Sequence, residues 1–421
     1  MSDSLELDDR DRALLEGAEG EAMAFAMEVV VRAAQICAAP RLQDICFAHI
    51  DACFYNGQAH VDFARFMVEK GARLAVPTWT NTSLVSQVDR EIRPRAKDPV
   101  VVSGARLLME LYERLGCNPV WTCAPYQLPD GPKLGEHIVG SESNAVTFYN
   151  SVVGARTNKY GDYLDVCAAV VGRVPFAGLH TREGRRGHTL FSLDRIPADL
   201  RREDIFHHVL GHHLGRVAQS RVPVIDGLPA DSSEDQLKAI SAAAAASGAV
   251  GLFHAVGVTP EAPDVETAFQ GREPRARVAI TPAELLEARD SLSTGRAGRL
   301  DMVAVGTPHF SYTEFARLVP LVEGRRVHGD TLFYISTSRH VHALVEQQGW
   351  LAILEAARAG SIWWPSARRT SPSASSPAWC RCWKGVGCTA ILCSMSPPAA
   401  TCTLWSRSRA GWRFSMRRRC A

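Results

Sequence analysis

The sequence predicts an α/β protein built of α/β/α layers, because two kinds of segment alternate along its first 360 residues. Helical segments carry apolar residues at intervals of three and four, and strand segments are short apolar runs that end in polar turns. The chain has 421 residues and 46% apolar content, which is enough material for more than one domain. We therefore expect parallel strands covered by helices.

The first predicted element is a long amphipathic helix from Arg10 to Cys37. It is followed by DICFAHIDACFYNG, a predicted strand that ends in a turn. His49 and Asp51 fall on the same face of this strand because strand side chains alternate. Two interpretations stay open for them, a structural hydrogen-bonded pair and a catalytic pair.

Two further helices are predicted, from Val61 to Lys70 and from Val101 to Leu115. Between them lies ARLAVPTWTNTS, a strand that runs into a polar loop with Thr80 and Asn81. Loops at the ends of strands are where α/β proteins bind ligands. We therefore expect Thr80 and Asn81 near a substrate.

The stretch from Asn118 to Arg173 places a cysteine, carboxylates, carboxamides and an arginine between apolar runs. A folded chain tolerates so many polar groups among apolar ones only when each finds a partner. Such a stretch lines a pocket more often than it fills a core. We expect the functional site here.

The charge pattern divides the chain in two. The last 61 residues contain ten Lys or Arg and no Asp or Glu, so residues 1–360 carry 37 basic against 45 acidic side chains. This acidic body gives no sign of nucleic-acid binding. No apolar run is long enough to span a bilayer, and the acidic start MSDSLELDDRDR argues against a targeting signal. We expect a cytoplasmic protein.

The last 61 residues also hold six of the nine Trp and six of the twelve Cys. Each residue of this tail implies the first two bases of its codon. These two bases were compared with the last two bases of a codon for the residue 61 positions earlier, and they are compatible at 56 of 61 positions. Residues 361–421 are therefore interpreted as an out-of-frame translation of a second copy of residues 300–360. We expect this tail not to fold natively, and the working domain to comprise residues 1–360.

Six motifs follow one another along the chain: TCAPYQ, ESNAV, NSVVGARTN, GRVPFAGLH, LFHAVGVTPEA and VGTPHFSYTEF. Together they resemble the large, catalytic subunit of the aconitase X family. The resemblance runs from about Leu14 to Gly360 and implies an aconitase-like fold, an iron–sulfur cluster and hydro-lyase activity on a small carboxylate. It also implies a small swivelling-domain subunit, here a separate chain.

The resemblance also assigns candidate site residues. Cys123 matches the cysteine of the TC-x-PY motif and is the expected metal ligand. In such enzymes an incompletely ligated iron acts as Lewis acid for a leaving hydroxyl. Glu142 and Ser143 are candidates for acid–base chemistry. Arg156 is suited to hold a carboxylate, and further substrate contacts are expected from Asn144, Asn158, Tyr126 and His180.

Two departures from the family pattern concern the cluster. Thr307 stands where some members have a cysteine, and a cysteine-bearing segment near the family's C-terminus lies beyond Gly360, where this chain leaves its frame. Of the three cysteine thiolates that would bind the cluster, only that of Cys123 can therefore be placed in this sequence. The pair His208 and His212, one helical turn apart, lacks a matching carboxylate and is interpreted as a helix face rather than a metal site.

Three functions stay open. The first is dehydration of cis-3-hydroxy-L-proline, favoured because HIDACFY and TNKYGDYLD resemble the bacterial branch. The second is dehydration of mevalonate 5-phosphate, against which the absence of an evident basic phosphate-binding cluster counts. The third is an inactive remnant that only binds the small subunit.

Overall fold

The structure, a computed structural model, describes residues 5–83, 85, 98–293, 295 and 300–357, with the backbone of three short strands beyond them. It confirms the α/β class. The chain forms two units. The first comprises Met1–Val85, Arg95–Arg202 and His207–Pro282, and the second comprises Ser86–Pro94, Glu203–Phe206 and Ala283–Ala421.

The first unit contains nearly all of the first nine helices. In chain order they are α1 Asp9–Leu15, α2 Glu21–Ile36, α3 Gln58–Glu69, α4 Pro99–Arg114, α5 Ser143–Phe148, α6 Leu164–Val171, α7 Asp204–Ala218, α8 Glu234–Gly248 and α9 Val265–Ala268. Its strands are β1 Leu42–Asp44, β2 Phe47–Ile50, β3 Thr78–Thr80, β4 Ile138–Gly140, β5 Arg173–Pro175, β6 Thr189–Ser192, β7 Pro223–Asp226, β8 His254–Ala255 and β9 Ala276–Ala279.

Two parallel sheets form the framework of the first unit. One has the order β3-β2-β4, and the other has the order β8-β7-β6-β9. The largest core packs α2, α3, α4 and α6 against the first sheet. Because β2 lies between two parallel neighbours, the carboxyl ends of all three strands meet at one edge. That edge holds the site described below.

The single helix predicted from Arg10 to Cys37 is in fact two helices, α1 and α2. Gly17 and Gly20 interrupt it with φ angles of 83° and 101°. Only glycine adopts this backbone region without strain, so the two residues end one helix and set the entry to the next. The apolar spacing alone did not reveal the break, because both helices bury the same face against one core.

Arg173 fastens the N-terminal segment to the first unit. Its guanidinium donates hydrogen bonds to Asp11 at 3.0 and 2.9 Å and to Asp44 at 2.7 Å, and it also binds Asp8. Asp11 is fully buried. A buried carboxylate is tolerated only with such a partner, so this network ties α1 to β1 and β5.

The alanine-rich run from Ala242 to Ala246 lies in α8, which packs closely on α7. A Cβ atom on Gly248 would lie 1.8 Å from the carbonyl oxygen of Gly215. Only hydrogen at both positions lets the two backbones approach this closely. His208 on α7 is half-buried, and burial of its ring lowers its pKa to about 3. This agrees with a structural role for the histidine-rich helix.

The second unit is built on the parallel sheet β10-β11-β12. The motif VGTPHFSYTEF covers the end of β10 and the start of α11, where Ser311 caps the helix by accepting from the Glu314 N–H at 3.1 Å. Its elements are α10 Pro282–Ser291, β10 Met302–Phe310, α11 Tyr312–Val322, β11 Leu332–Thr337, α12 Arg339–Gln347, α13 Trp350–Ala356 and β12 Gly360–Ser361.

Within the tail, two strands are described, β13 Trp405–Ser408 and β14 Gly411–Phe414, which pair antiparallel. The rest of residues 361–421, apart from Ser361 in β12, lies outside the described residues, as does most of the segment between Val85 and Asp98. The expectation that the tail does not fold natively therefore stays a prediction. Along the described part of the chain, no helix has the length and apolarity that a bilayer crossing needs.

Candidate active site

Three polar residues follow the three strands of the first sheet. Asp51 follows β2, Asn81 follows β3 and Glu142 lies two residues after β4. The Asn81 side chain donates a hydrogen bond to the Asp51 carboxylate, and its backbone N–H donates to the Ile50 carbonyl at 2.9 Å. The sheet therefore brings Asp51 and Asn81 together at its carboxyl edge, as expected for a ligand site in this class of fold.

Glu142 caps the N-terminus of α5. Its carboxylate accepts a hydrogen bond from the Ala145 N–H at 2.5 Å. Burial, together with the smaller effect of the Asp51 charge, raises the pKa of Glu142 to about 7, although the Ala145 N–H and the Lys159 ammonium lower it. Glu142 is therefore a group that exchanges a proton near neutral pH, next to a second carboxyl.

Cys123, Tyr126 and Asn144 form one hydrogen-bonded group beside α5. The Asn144 amide donates to the Cys123 carbonyl and to the Tyr126 hydroxyl, both at 3.0 Å. The Tyr126 ring stacks on Phe148 with centroids 3.8 Å apart. These contacts hold the half-buried Cys123 near the first turn of α5, which begins at Ser143.

Asp165 is a site residue that the sequence analysis missed. It is fully buried at the start of α6, and its Oδ2 accepts from the Ser141 hydroxyl at 2.7 Å, the Asp51 N–H at 2.8 Å and the Ala52 N–H at 3.2 Å. Burial raises its pKa to about 7. Asp165 thus joins the turn after β2 to the turn after β4. Its signal in the sequence was a lone carboxylate at the start of the apolar run DVCAAVV.

His49 and Thr80 support the segment that leads to Cys123. The His49 Nε2 atom donates to the Thr122 carbonyl at 2.9 Å, and the Thr80 hydroxyl accepts from the Trp121 N–H at 3.2 Å. Both side chains are fully buried, and burial lowers the pKa of His49 to about 4. His49 is therefore neutral at physiological pH. Its position inside the sheet supports the structural interpretation.

Arg156, Asn158 and His180 form a second cluster with other neighbours. Arg156 lies 3.8 Å from Glu261, which also pairs with the buried Arg185. The Asn158 amide donates to the Ala177 carbonyl at 3.0 Å and accepts from the Leu179 N–H at 2.8 Å. Arg156 and His180 both lie beside His137, at the amino end of β4, whereas Glu142 and Asp51 lie at the carboxyl edge.

His180 in this second cluster is buried and held by two neighbours. Its Nδ1 atom lies 2.9 Å from the Nδ1 of His137, and its Nε2 lies 2.7 Å from the Tyr160 hydroxyl. Burial, together with the charges of nearby arginines, lowers the pKa of His180 to about 3 and that of His137 to about 4. Both rings are therefore neutral hydrogen-bonding groups at physiological pH.

The described residues do not fit an iron–sulfur cluster by themselves. In residues 5–83, 98–293 and 300–357, no three His, Cys, Asp or Glu side chains are placed to hold a metal ion. Burial raises the pKa of the Cys53 and Cys117 thiols, so they stay protonated and are poor ligands. Cys53 is buried in the turn after β2, where its thiol donates to the Asn81 carbonyl at 3.4 Å, whereas Cys123 is only half-buried and is the better candidate ligand at the site.

The geometry can be compared with known proteins. Three family models match in order: the aconitase X first domain over residues 4–183, the second domain over residues 188–290 and the third domain over residues 300–362. A solved structure, the holo-form of aconitase X from Thermococcus kodakaraensis, aligns with a TM-score of 0.75 at 29% identity. The alignment covers 85% of this chain and 87% of that one.

Curated relatives fall into two groups. The cis-3-hydroxy-L-proline dehydratases of Pseudomonas aeruginosa and Hypocrea jecorina are 44% and 38% identical over 83% and 82% of this chain. The large subunit of phosphomevalonate dehydratase from Thermococcus kodakarensis is 31% identical over 82% of this chain and 84% of its own length. The chain spans 60% and 58% of the length of the first two relatives.

Proposed function

This chain belongs to the aconitase X family, and we propose that it is the large, catalytic part of a hydro-lyase that removes water from cis-3-hydroxy-L-proline. Its greater identity to dehydratases of that substrate than to phosphomevalonate dehydratases supports the choice of substrate. The observation that carries the proposal is the pair Glu142 and Asp51 at the carboxyl edge of the sheet, two neighbouring carboxyls whose pKa values burial raises.

The reaction needs one base and one acid. The base takes the proton from C2, the electrons of that bond form the C2–C3 double bond, and the C3 hydroxyl leaves as water after it receives a proton. The enamine that results becomes pyrroline-2-carboxylate. Glu142 has the pKa raised to about 7 and is proposed as the acid, and Asp51 is proposed as the base. Asn81 orients Asp51 through its hydrogen bond.

The other predicted residues keep proposed roles around this pair. Ser143 and Asn144 lie in the first turn of α5, directly after Glu142, and are proposed to contact the substrate from there. Tyr126 orients Asn144. Asn158 and His180 fix the segment that runs beside β4, so we propose that they act on the substrate through this segment.

The cofactor, partner and location stay parts of the proposal. An iron–sulfur cluster is expected with Cys123 as one ligand and the remaining ligands outside the described residues. A small swivelling-domain subunit is expected because archaeal relatives are described as large subunits. The cysteines of the described residues form no disulfide, which supports the reducing cytoplasm.

An assay on the purified chain tests this function. With the small subunit supplied, we expect bound iron and sulfide and the dehydration of cis-3-hydroxy-L-proline, with no turnover of mevalonate 5-phosphate. Turnover of mevalonate 5-phosphate instead would contradict the choice of substrate. A chain that binds the small subunit but neither iron nor substrate would be an inactive remnant, a second candidate that the incomplete ligand set favours.

The origin of the tail, residues 361–421, can be tested separately. The third-domain match ends at residue 362, which supports the interpretation that native sequence stops near Gly360. We expect the nucleotide sequence after codon 360 to contain a second copy of about sixty codons, read one base out of frame. A DNA sequence without such a copy would contradict this interpretation of residues 361–421.

A further inference from the structure

The chain segment beside β4 places two cations at opposite ends of that strand. Arg156 forms a parallel bridge with His137, and Lys159 forms one with Gly140. The Ile138 N–H donates to the Arg156 carbonyl at 3.0 Å, which fixes this register. Three residues along a strand span about 10 Å. Arg156 therefore lies at the amino end of β4, and Lys159 lies at the carboxyl end.

The carboxyl edge has a surplus of acidic groups. The Asp51 charge raises the pKa of Glu142, and the Asp162 charge raises the pKa of both Asp51 and Asp165, in each case after the larger effect of burial. A substrate with its own carboxylate would be repelled by this set unless a cation faced it.

His60, another basic group at this edge, already has partners. Its Nε2 lies 3.2 Å from the Asp162 carboxylate, and its Nδ1 lies 3.2 Å from the Tyr163 hydroxyl. Both ring nitrogens are therefore occupied by neighbouring side chains. His60 therefore pairs with Asp162 and Tyr163 and has no ring nitrogen left for a ligand.

Lys159 differs from His60 in its exposure and in its partners. Its side chain is exposed, and within the described part of the chain it has no ion-pair partner. Its ammonium nevertheless acts on Glu142, whose pKa it lowers. Lysine carries a compact charge on a flexible stem, so it can turn toward a ligand that lies above the strand ends.

We propose that Lys159 binds the substrate carboxylate at the carboxyl edge of the first sheet. The inference rests on the proposed function and deepens it, because it assigns to Lys159 the contact that the sequence analysis expected of Arg156. Arg156 stays with Glu261 at the other end of β4. The carboxylate of a bound imino acid would then lie beside Glu142, with its ring over Asp51.

Calorimetric titration of the full chain tests this assignment without any need for turnover. The probe is pyrrole-2-carboxylate, a planar carboxylate similar to the dehydrated product, and its neutral partner is pyrrole-2-carboxamide. We expect the unaltered chain to prefer the carboxylate. Lys159→Ala should weaken carboxylate binding by about 10-fold or more and leave carboxamide binding unchanged, because a hydrogen bond to a charged group is lost.

The control variants separate charge from position. Lys159→Arg should retain part of the preference, and Lys133→Ala, which removes another exposed lysine of the same unit, should retain all of it. Unchanged carboxylate binding by Lys159→Ala, or its loss in Arg156→Gln alone, would overturn the assignment and leave the proposed function standing. An unaltered chain that shows no preference for the carboxylate would overturn both.

Discussion

Replacing Glu142 with glutamine should reduce kcat for the dehydration by about 10²- to 10⁴-fold, with little change in KM. The amide cannot donate the proton that the leaving hydroxyl needs, but its oxygen can still accept from the Ala145 N–H and keep the cap on α5. Steady-state kinetics of the chain with its small subunit would measure the effect. A variant that retains more than a tenth of kcat would exclude Glu142 as the acid.

The pH dependence provides a second readout of the same variant. A general acid with a pKa of about 7 is active in its protonated form, so the rate should fall as pH rises through about 7. The residual activity of Glu142→Gln should not show this decrease near pH 7. The control Glu113→Gln, which changes an exposed residue on α4, should retain both the rate and its decrease near pH 7.

Replacing Asp165 with alanine should lower the free energy of unfolding by roughly 3 kcal/mol or more near pH 6, because three buried or half-buried donors lose their acceptor. Those donors belong to the turns after β2 and β4, so the loss should also disorder the site. Denaturant unfolding would measure the change. A difference below about 1 kcal/mol, no larger than that of an exposed control such as Asp62→Ala, would contradict this role.

The pH dependence of stability has a definite sign for Asp165. Its folded-state pKa of about 7 lies above the ordinary value of an unfolded aspartate, so the folded state binds the proton more tightly. The stabilisation from this group is complete below about pH 4 and is lost as pH rises through about 7. The unfolding free energy of the native chain minus that of Asp165→Asn, which cannot titrate, should therefore fall by roughly 2 to 4 kcal/mol from pH 4 to pH 8.

Much of the site could be predicted because it follows strand ends. Asp51, Asn81 and Glu142 each come after a short apolar run, and in a parallel sheet such positions converge. The motif TCAPYQ likewise located Cys123 and Tyr126, which the structure joins through Asn144. For these residues, the local sequence pattern was enough to predict which side chains lie near one another in the fold.

The position of Arg156 could not be predicted, because it depends on register. Arg156 and Lys159 are three residues apart, and only the pairing of this segment with β4 decides which of them lies at the carboxyl end of that strand. Asp165 was missed for a related reason. Its partners are the N–H groups of Asp51 and Ala52, more than a hundred residues away in the chain, and no local spacing reveals such a contact.

The claim on which the rest depends is that the substrate binds at the carboxyl edge of β2, β3 and β4. A crystal structure of the chain with pyrrole-2-carboxylate tests it most directly. We expect the ligand between Lys159 and Glu142, within hydrogen-bonding distance of both. A ligand bound instead between Arg156 and His180 would contradict the claim and move the active site to the second cluster.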